Sequence, residues 1–265
     1  MLNRRAKIVC TIGPATSKPE QLRQLIGAGM DVARLNFSHG SHADHKAVID
    51  DLRLLSGEMQ RPLAILQDLQ GPKIRLGTLK DGSVELVAGQ LFTLTIEEVE
   101  GDNQRAFTTY KALPDDVTLG DEILLSDGLL RLVVEQVQGK DVICRVKDGG
   151  VLRQRAGINL PGADLSVPSM TEKDRQDLAF GVKQGVDFVA LSFVRRAVDI
   201  AVIKDELKRL EAQVPVVAKL EKPQAIEALD EIIAEADAIM VARGDLGVEM
   251  SPERVPFIQK TIIRA

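Results

Sequence analysis

Cysteine is scarce in this sequence: Cys10 and Cys144 are the only thiols among 265 residues. They lie far apart and outside any cluster with metal-ligand spacing, which favours two reduced core cysteines in a cytoplasmic protein over a disulfide. No apolar run approaches the ~20 residues needed to span a bilayer. The net charge of −5 provides no general basic surface. Neither nucleic acid nor a membrane is therefore expected as a partner.

The common phosphate-binding loops are missing as well. No G-x-x-x-x-G-K-[ST] motif occurs, and Gly27 and Gly29 stand between a predicted helix and a predicted strand. That is the wrong context for a dinucleotide fingerprint, which follows a strand and opens a helix. Any phosphate chemistry must therefore use side chains on a different kind of scaffold.

What the sequence does contain is a repeated strand–helix rhythm. Short apolar runs predict six strands, at residues 7–12, 31–37, 62–67, 187–193, 215–220 and 237–242. Apolar residues recur at helical spacing between them, and GMDVARLNF at 29–37 is echoed by GVDFVALSF at 185–193. Parallel strands with crossover helices form either a closed barrel or an open doubly wound sheet. The rhythm alone does not separate these two folds.

Helix starts are predicted from capping boxes, in which a hydroxyl and an acidic side chain three residues later each accept from a backbone N–H of the other. The three boxes are Ser17 with Glu20, Ser41 with Asp44, and Thr171 with Asp174. One continuous helix is predicted from Pro223, and the last helix from Ser251-Pro252.

Residues 72–167 follow a different pattern. Apolar runs such as 91–96 and 129–137 are short, are separated by Gly, Asp and Asn, and have no amphipathic helical pattern between them. This predicts a small β domain. The predicted organisation is an α/β domain of residues 1–71 and 168–265, interrupted by a β domain of residues 72–167.

Polar residues cluster at the C-terminal ends of the predicted strands. Strand side chains two apart project to the same side, and unpaired charges on buried parallel strands are costly. Barrel enzymes carry their active sites at these strand ends, which favours an active site. A ring of stabilising ion pairs is the alternative. The residues concerned are Arg34, Asn36, Ser38, Asp68, Lys219, Glu221, Arg243 and Asp245.

The charges in this set indicate a reaction class. The carboxylates of Glu221 and Asp245 are hard oxygen ligands suited to Mg²⁺ or Mn²⁺. Arg34 and Lys219 are cations suited to a phosphoryl group, whose transfer needs mainly positioning and charge neutralisation. The histidines at 39, 42 and 45 raise zinc as an alternative, but no cysteine lies nearby and a solvated or substrate-facing role is favoured.

Four segments resemble the pyruvate kinase family. KIVCTIGPA at 7–15 and RLNFSHG at 34–40 are similar to its first two strands, VAKLE at 217–221 to its catalytic lysine segment, and MVARGDLG at 240–247 to its metal and substrate segment. These motifs are long and occur in the family's order across essentially the whole chain. The resemblance implies a (β/α)8-type TIM barrel, incomplete here with about six βα units. It also implies that the insertion is a small all-β barrel acting as a mobile lid that excludes water.

The resemblance further implies a glycolytic phosphotransferase that moves the phosphoryl group of phosphoenolpyruvate to ADP, giving pyruvate and ATP. Lys219 would bridge the moving phosphoryl group, and Arg34 would bind the phosphate. Backbone N–H groups around Gly244, together with Asp245, would bind the substrate. The complete chain is expected to form a homo-oligomer, a tetramer in the family.

The metal and nucleotide sites are also implied by the resemblance. Glu221 and Asp245 would hold Mg²⁺ or Mn²⁺ as a Lewis acid. The nucleotide would face the three residues Asn36, His39 and Arg75.

Two departures from the family pattern affect these expectations. Lys73 stands where many members have Glu, which resembles the K⁺-independent group, because a tethered ammonium replaces a bound monovalent cation. Asn36, Ser38 and Asp68, the family's K⁺ ligands, would then hold no ion. Ala156 stands where the family often has a nucleotide-contacting lysine.

The chain ends at Ala265, before the family's last two βα units and its C-terminal domain. Six strands of an eight-stranded barrel leave two open edges, so this chain alone is expected to turn over poorly and to associate. A truncated non-catalytic fragment or paralogue that binds phospho-ligands is the alternative of a different class. The intact Lys219, Glu221 and Asp245 argue against a loss of chemistry by substitution.

Overall fold

The structure is a computed structural model and describes residues 5–163 and 165–265. Its strands in chain order are β1 (Val9–Ile12), β2 (Val32–Asn36), β3 (Ala64–Asp68), β4 (Ser83–Leu86), β5 (Leu91–Thr95), β6 (Arg105–Phe107), β7 (Glu122–Leu125), β8 (Leu130–Gln138), β9 (Asp141–Asp148), β10 (Gly150–Arg153), β11 (Ile158–Asn159), β12 (Phe188–Leu191), β13 (Val216–Leu220) and β14 (Ala238–Val241). Its helices are α1 (Pro19–Ala28), α2 (His42–Glu58), α3 (Leu113–Asp116), α4 (Glu172–Gln184), α5 (Ala197–Arg209), α6 (Pro223–Glu227), α7 (Leu229–Glu235), α8 (Arg243–Glu249) and α9 (Val255–Arg264).

The chain divides into two compact units. The first consists of Met1–Gly71, Ser169–Leu220 and Ala228–Met240, and the second of Pro72–Pro168, Glu221–Glu227 and Val241–Ala265. The predicted catalytic domain (1–71 and 168–265) and lid domain (72–167) differ from these two units in three places. Pro168, residues 221–227 and residues 241–265 belong to the second unit, whereas the prediction places them in the catalytic domain. Those domain boundaries stay a prediction.

The sheet of the first unit has the strand order β1-β2-β3-β12-β13-β14, which is also the order along the chain. The pairs from β1 to β13 are parallel, and Asn36 of β2 lies opposite Asp68 of β3. A doubly wound sheet reverses its order at a switch point, whereas this order runs in one direction, as it does in a barrel. The predicted fold class, α/β with six strands of an incomplete (β/α)8-type barrel, is confirmed.

Two of the three predicted capping boxes are present. Ser41 Oγ accepts from the Asp44 backbone N–H at 3.2 Å, and Thr171 Oγ1 accepts from that of Asp174 at 3.1 Å. The prediction at Ser17 is wrong, because α1 has Lys18 at its N-cap without a side-chain cap and Pro19 in its first turn. Proline at the first helical position fixes φ and needs no partner for an N–H, so it sets the helix start there.

The prediction of one continuous helix from Pro223 is also wrong. It consists of two short helices, α6 and α7, with non-helical backbone at Ala228 (φ −98°, ψ 24°). The last helix, α9, begins at Val255, and the predicted start at 251–252 instead leads into a 3-10 turn at Pro252–Arg254. No helix among the described residues is long and apolar enough to cross a membrane.

The second unit contains a six-stranded sheet of order β11-β7-β8-β9-β5-β6 and a two-stranded sheet of β10 and β4. Phe92, Leu132 and Cys144 lie fully buried in its core.

Both cysteines are free thiols, as predicted, and burial raises the pKa of the Cys144 thiol to about 12. Cys10 is only partly buried, so its assignment to the core is wrong. The insertion also contains the short helix α3, which its sequence pattern does not predict.

Candidate active site

One face of the first unit's sheet changes from apolar to polar along the strand direction. Leu66, Ala190 and Val217 form a buried apolar cluster on neighbouring strands. Two residues further along the chain stand Asp68 of β3, Lys219 of β13 and Ser192, which directly follows β12. Since alternate residues of a strand share a face, these polar side chains follow directly above the apolar cluster. Arg34 stands in the same relation to Val32, which packs against that cluster.

Asp68 is the centre of this polar group. Its Oδ2 accepts a hydrogen bond from Arg34 Nε at 2.7 Å and lies 2.5 Å from Arg34 Nη2. Its Oδ1 lies 3.1 Å from Lys219 Nζ. Arg34 also donates from Nη1 to Thr11 Oγ1 at 2.7 Å, so its guanidinium is fixed at both ends. The structure thus brings together three of the predicted site residues.

Ser192 belongs to this group, although it was not predicted from the sequence. Its hydroxyl accepts a hydrogen bond from Lys219 Nζ at 2.7 Å and donates to the Leu69 carbonyl at 2.7 Å. The sequence carried a signal for it, because the internal echo aligns Ser192 with Asn36, a polar residue in the same place after a strand. The serine fixes the end of the lysine side chain beside Asp68.

The backbone next to Ser192 adopts positive φ angles at two residues. Gly71 has a φ of +67°, and a Cβ built on it would come within 3.1 Å of Ser192 Cβ. Its backbone N–H donates to the buried carboxylate of Asp174 at 3.0 Å. Phe193 adopts a φ of 57°, which is uncommon for a residue other than glycine. Glycine at 71 allows the close approach, and Asp174 fixes it.

The group contains two cations suited to an anionic ligand. Arg34 and Lys219 both lie against the Asp68 carboxylate. The side chains of Asp68 and Lys219 are 2% and 9% exposed, while that of Arg34 is 25% exposed. A phosphoryl group is the ligand that a guanidinium and an ammonium together bind well.

Two further predicted residues, Asn36 and His39, line a cavity of about 540 Å³ in the first unit. The Asn36 side chain accepts from the Ser38 backbone N–H at 3.0 Å, which joins two of the three residues expected at the monovalent position. The third, Asp68, directs both of its oxygens at the cations described above. The cavity is lined by Thr11, Ile12, Gly13, Pro14, Ser17, Leu35, Asn36, His39, Gly40, Asp44, His45, Ala47, Val48 and Asp51.

The His42 and His45 side chains make different contacts. His45 stacks on Phe37 with ring centroids 3.9 Å apart and donates from Nε2 to the His39 carbonyl at 2.9 Å. His42 Nε2 lies 2.7 Å from the Asp177 carboxylate. Burial lowers the pKa of His45, against the opposing effect of its bond to the His39 carbonyl. Among residues 5–163 and 165–265 no group of three or more His, Cys, Asp or Glu is arranged to hold a metal ion.

The predicted ligands of the divalent metal lie in the second unit. Glu221 directly follows β13 in the chain and is 2% exposed. Asp245 is exposed in the first turn of α8, and Gly244 precedes it, as expected for a helix start. Two carboxylates fit Mg²⁺ or Mn²⁺, because Mg²⁺ in proteins commonly takes one or two carboxylates and completes its shell with water and substrate phosphate.

Lys73 and Arg75 also lie in the second unit. The Lys73 Cε would be 3.5 Å from a Cβ built on Gly157. The Arg75 Nη1 donates to the Arg155 carbonyl at 3.4 Å, and Arg155 itself has a positive φ of 58°. Ala156, the position that departs from the family pattern, stands between Arg155 and Gly157 in the chain.

The fold and these residues define a class of protein, an α/β-barrel protein with a polar layer that contains Arg34, Asp68 and Lys219 at the C-terminal strand ends. Residues 3–265 match the family model for the pyruvate kinase barrel domain. The chain is 49% identical to a pyruvate kinase of Mycobacterium intracellulare and 48% identical to one of Mycobacterium tuberculosis strain H37Rv, in both cases over 99% of this chain and 56% of the relative. It is 46% identical to a pyruvate kinase of Staphylococcus aureus strain MRSA252, over 98% of this chain and 45% of the relative. The chain belongs to the pyruvate kinase family, and it spans about half the length of these relatives.

Proposed function

We propose that the protein carrying this chain is a pyruvate kinase that transfers the phosphoryl group of phosphoenolpyruvate to ADP. The observation that carries this proposal is the polar layer in which Arg34 and Lys219 share the Asp68 carboxylate. Phosphoryl transfer requires positioned cations more than covalent chemistry. The relatives from Mycobacterium and Staphylococcus, which are named pyruvate kinases, support the same reaction.

In this mechanism Arg34 binds the phosphate and Lys219 neutralises charge on the phosphoryl group as it moves. The bond between phosphorus and the enol oxygen breaks, and a new bond forms between phosphorus and an oxygen of the ADP β-phosphate. The enolate that leaves takes up a proton at its terminal carbon to give pyruvate. Ser192 and Asp68 hold the lysine so that little reorganisation is needed in the transition state.

Glu221 and Asp245 are proposed to hold Mg²⁺ or Mn²⁺, which when bound supplies a Lewis acid for the substrate oxygens. The backbone around Gly244, at the start of α8, is proposed to bind the substrate carboxylate. Asn36, His39 and Arg75 are proposed to face the nucleotide. The cavity beside the first two of these supports this assignment.

K⁺ is proposed not to be required. Lys73 supplies a tethered ammonium in the chain segment where many family members have Glu, and both oxygens of Asp68 are already directed at Arg34 and Lys219. Turnover measured with KCl replaced by a larger inert cation at constant ionic strength is expected to stay unchanged. A strong rise on adding KCl would overturn this part of the proposal.

The remaining features are extended to this chain from the family resemblance. They are a cytoplasmic location, a homo-oligomeric assembly and a lid role for residues 72–167. The free thiols of Cys10 and Cys144 are consistent with a reducing compartment.

The experiment that tests the function is a coupled assay of pyruvate release from phosphoenolpyruvate and ADP, made on the polypeptide that carries this chain. Lys219→Met is expected to lower kcat by ~10²–10³-fold, the scale for losing one charge-stabilising donor. Lys46→Met is the matched control, since Lys46 is exposed on α2 and pairs only with Asp50 among the contacts seen. A Lys219 effect below tenfold would remove this residue from the mechanism.

The same assay separates the catalytic proposal from a phospho-ligand binder. A binder would show saturable binding of phosphoenolpyruvate without release of pyruvate. That outcome, obtained with the polypeptide of full family length, would overturn the proposed function.

A further inference from the structure

A buried ion pair in the second unit has no role in the chemistry proposed above. Lys222 Nζ lies 2.6 Å from Glu249 Oε1, and their side chains are 9% and 1% exposed. Asn159 of β11 donates from Nδ2 to the same oxygen at 2.7 Å. Glu249 Oε1 therefore accepts hydrogen bonds from two other segments of the chain, through Lys222 and Asn159.

The pair is a costly way to hold a protein together. Removing two charges from water often costs as much as their attraction returns, and apolar residues of similar volume are frequently as stable. Glu249 is also the last residue of α8, where the helix dipole disfavours a negative charge. Its other oxygen, Oε2, is buried and has no hydrogen-bond partner among the described residues. Fold stability alone gives little reason for this arrangement.

The position of the pair supplies a different reason. Lys222 directly follows Glu221 in the chain, so fixing the lysine fixes the backbone from which the Glu221 carboxylate projects. Glu249 stands four residues after Asp245 in α8, and residues four apart lie on the same face of a helix. Fixing Glu249 therefore fixes the rotation of α8 and the direction of Asp245.

We infer that Lys222 and Glu249 are positioning residues that set Glu221 and Asp245 at the mutual geometry a divalent cation requires. This inference rests on the proposed function only for the identity of the two metal ligands. Asn159 extends the same link to β11 of the insertion. The groups act on the metal through the backbone of their neighbours and do not bind it themselves.

The test is a comparison of two variants by their affinity for Mn²⁺ alone, titrated calorimetrically on the substrate-free polypeptide. The double variant Lys222→Met/Glu249→Leu removes both charges together and keeps the volume, so it is expected to fold with an unchanged thermal midpoint. Its Mn²⁺ affinity is expected to fall by ~10–100-fold, the scale seen when groups supporting metal ligands are removed. The matched control is Arg145→Met/Glu135→Gln, which removes a more exposed pair between β8 and β9.

The outcomes separate this inference from the proposed function. Mn²⁺ binding by the double variant as tight as that of the unchanged chain would overturn the positioning role and leave the proposed metal ligands intact. An unchanged chain that binds no Mn²⁺ would overturn the metal ligands themselves, and the positioning role with them. If the double variant does not fold, two single variants, Lys222→Arg and Glu249→Gln, are compared instead. Lys222→Arg keeps the positive charge and is expected to retain Mn²⁺ affinity within about tenfold of the unchanged chain. A loss of Mn²⁺ affinity in Lys222→Arg as large as that in Glu249→Gln would contradict the inference.

Discussion

Lys219 and Asp68 lie in contact at 3.1 Å on strands that are not neighbours in the sheet, since β12 runs between β13 and β3. The serine that follows β12, Ser192, contacts both side chains: its hydroxyl accepts from Lys219 Nζ at 2.7 Å and lies 3.4 Å from Asp68 Oδ1. A lysine buried to this extent needs a compensating charge, and Asp68 supplies it. The same carboxylate holds Arg34, so one acidic side chain orders both cations of the candidate active site.

Asp68→Asn is expected to destabilise the protein by about 3–5 kcal/mol, because it leaves the buried Lys219 ammonium and the Arg34 guanidinium without their shared counter-charge. Urea unfolding at neutral pH measures this change. Asp50→Asn, which removes an exposed carboxylate paired with Lys46, is expected to change stability by less than about 1 kcal/mol. Equal effects of the two substitutions would show that Asp68 is not the structural centre of the cluster.

The barrel strands could be predicted from the sequence because buried parallel strands are continuous apolar runs bounded by turn residues. The rhythm did not give their order in the sheet, since it is the same for barrels and doubly wound sheets; the barrel order was predicted only from the resemblance of the four motifs to the pyruvate kinase family. The α1 start was misplaced because the hydroxyl of Ser17 satisfies the capping pattern, while Pro19 decides where the helix begins. The break at Ala228 has no signal in the helical periodicity around it.

The candidate site was predictable where polar residues interrupt an apolar strand, as Arg34, Asp68 and Lys219 do. Ser192 was missed because serine after a strand is usually only a turn residue, and its role depends on a lysine from the next strand. The pair of Lys222 and Glu249 was missed for a similar reason. Residues 27 positions apart reveal their contact only once the chain is folded.

The capping residues provide a test of the helix starts. Ser41→Ala and Thr171→Ala are each expected to destabilise the protein by about 1 kcal/mol, because each removes the acceptor for a backbone N–H in the first turn. Ser17→Ala is expected to be within about 0.5 kcal/mol of neutral, since Ser17 is not the cap of α1. Denaturant midpoints for the three variants check this order. A loss of stability in Ser17→Ala as large as that in Ser41→Ala would show that Ser17 does cap α1.

Two helical glycines are expected to respond in opposite directions to alanine. In Gly181→Ala of α4 the new Cβ would stand 2.0 Å from Gln67 Oε1, and Gln67 is fully buried with its amide bonded to the Asp177 carbonyl. The amide must move or the helix must shift, at a cost of about 1–3 kcal/mol. Gly57→Ala in α2 meets no atom within 4 Å and is expected to stabilise by up to ~1 kcal/mol through helix propensity. Thermal unfolding of the two single variants measures both signs, and a stabilised Gly181→Ala would mean that Gln67 is not held as described.

His45 is expected to make folding stability depend on pH just below neutrality. Burial lowers its pKa in the folded protein, whereas in the unfolded chain it titrates near ~6.5. As the pH falls through that value the unfolded state binds a proton that the folded state resists. Stability is therefore fully present above the unfolded pKa and decreases towards the folded pKa, with a slope of at most about 1.4 kcal/mol per pH unit for one proton.

Comparison with His45→Gln isolates this contribution. The variant loses the stacking on Phe37 at every pH, so that loss cancels when the two proteins are compared at pH 7.5 and at pH 5.5. The variant's stability deficit, measured by urea unfolding, is expected to be larger at pH 7.5 than at pH 5.5, because only the unchanged chain is weakened by acidification through this residue. A proton NMR titration of the His45 imidazole gives the pKa directly. A deficit that grows on acidification, or a midpoint above ~6.5, would mean that the His45 ring is stabilised in its charged form, and that the contact of Nε2 with the His39 carbonyl outweighs the effect of burial.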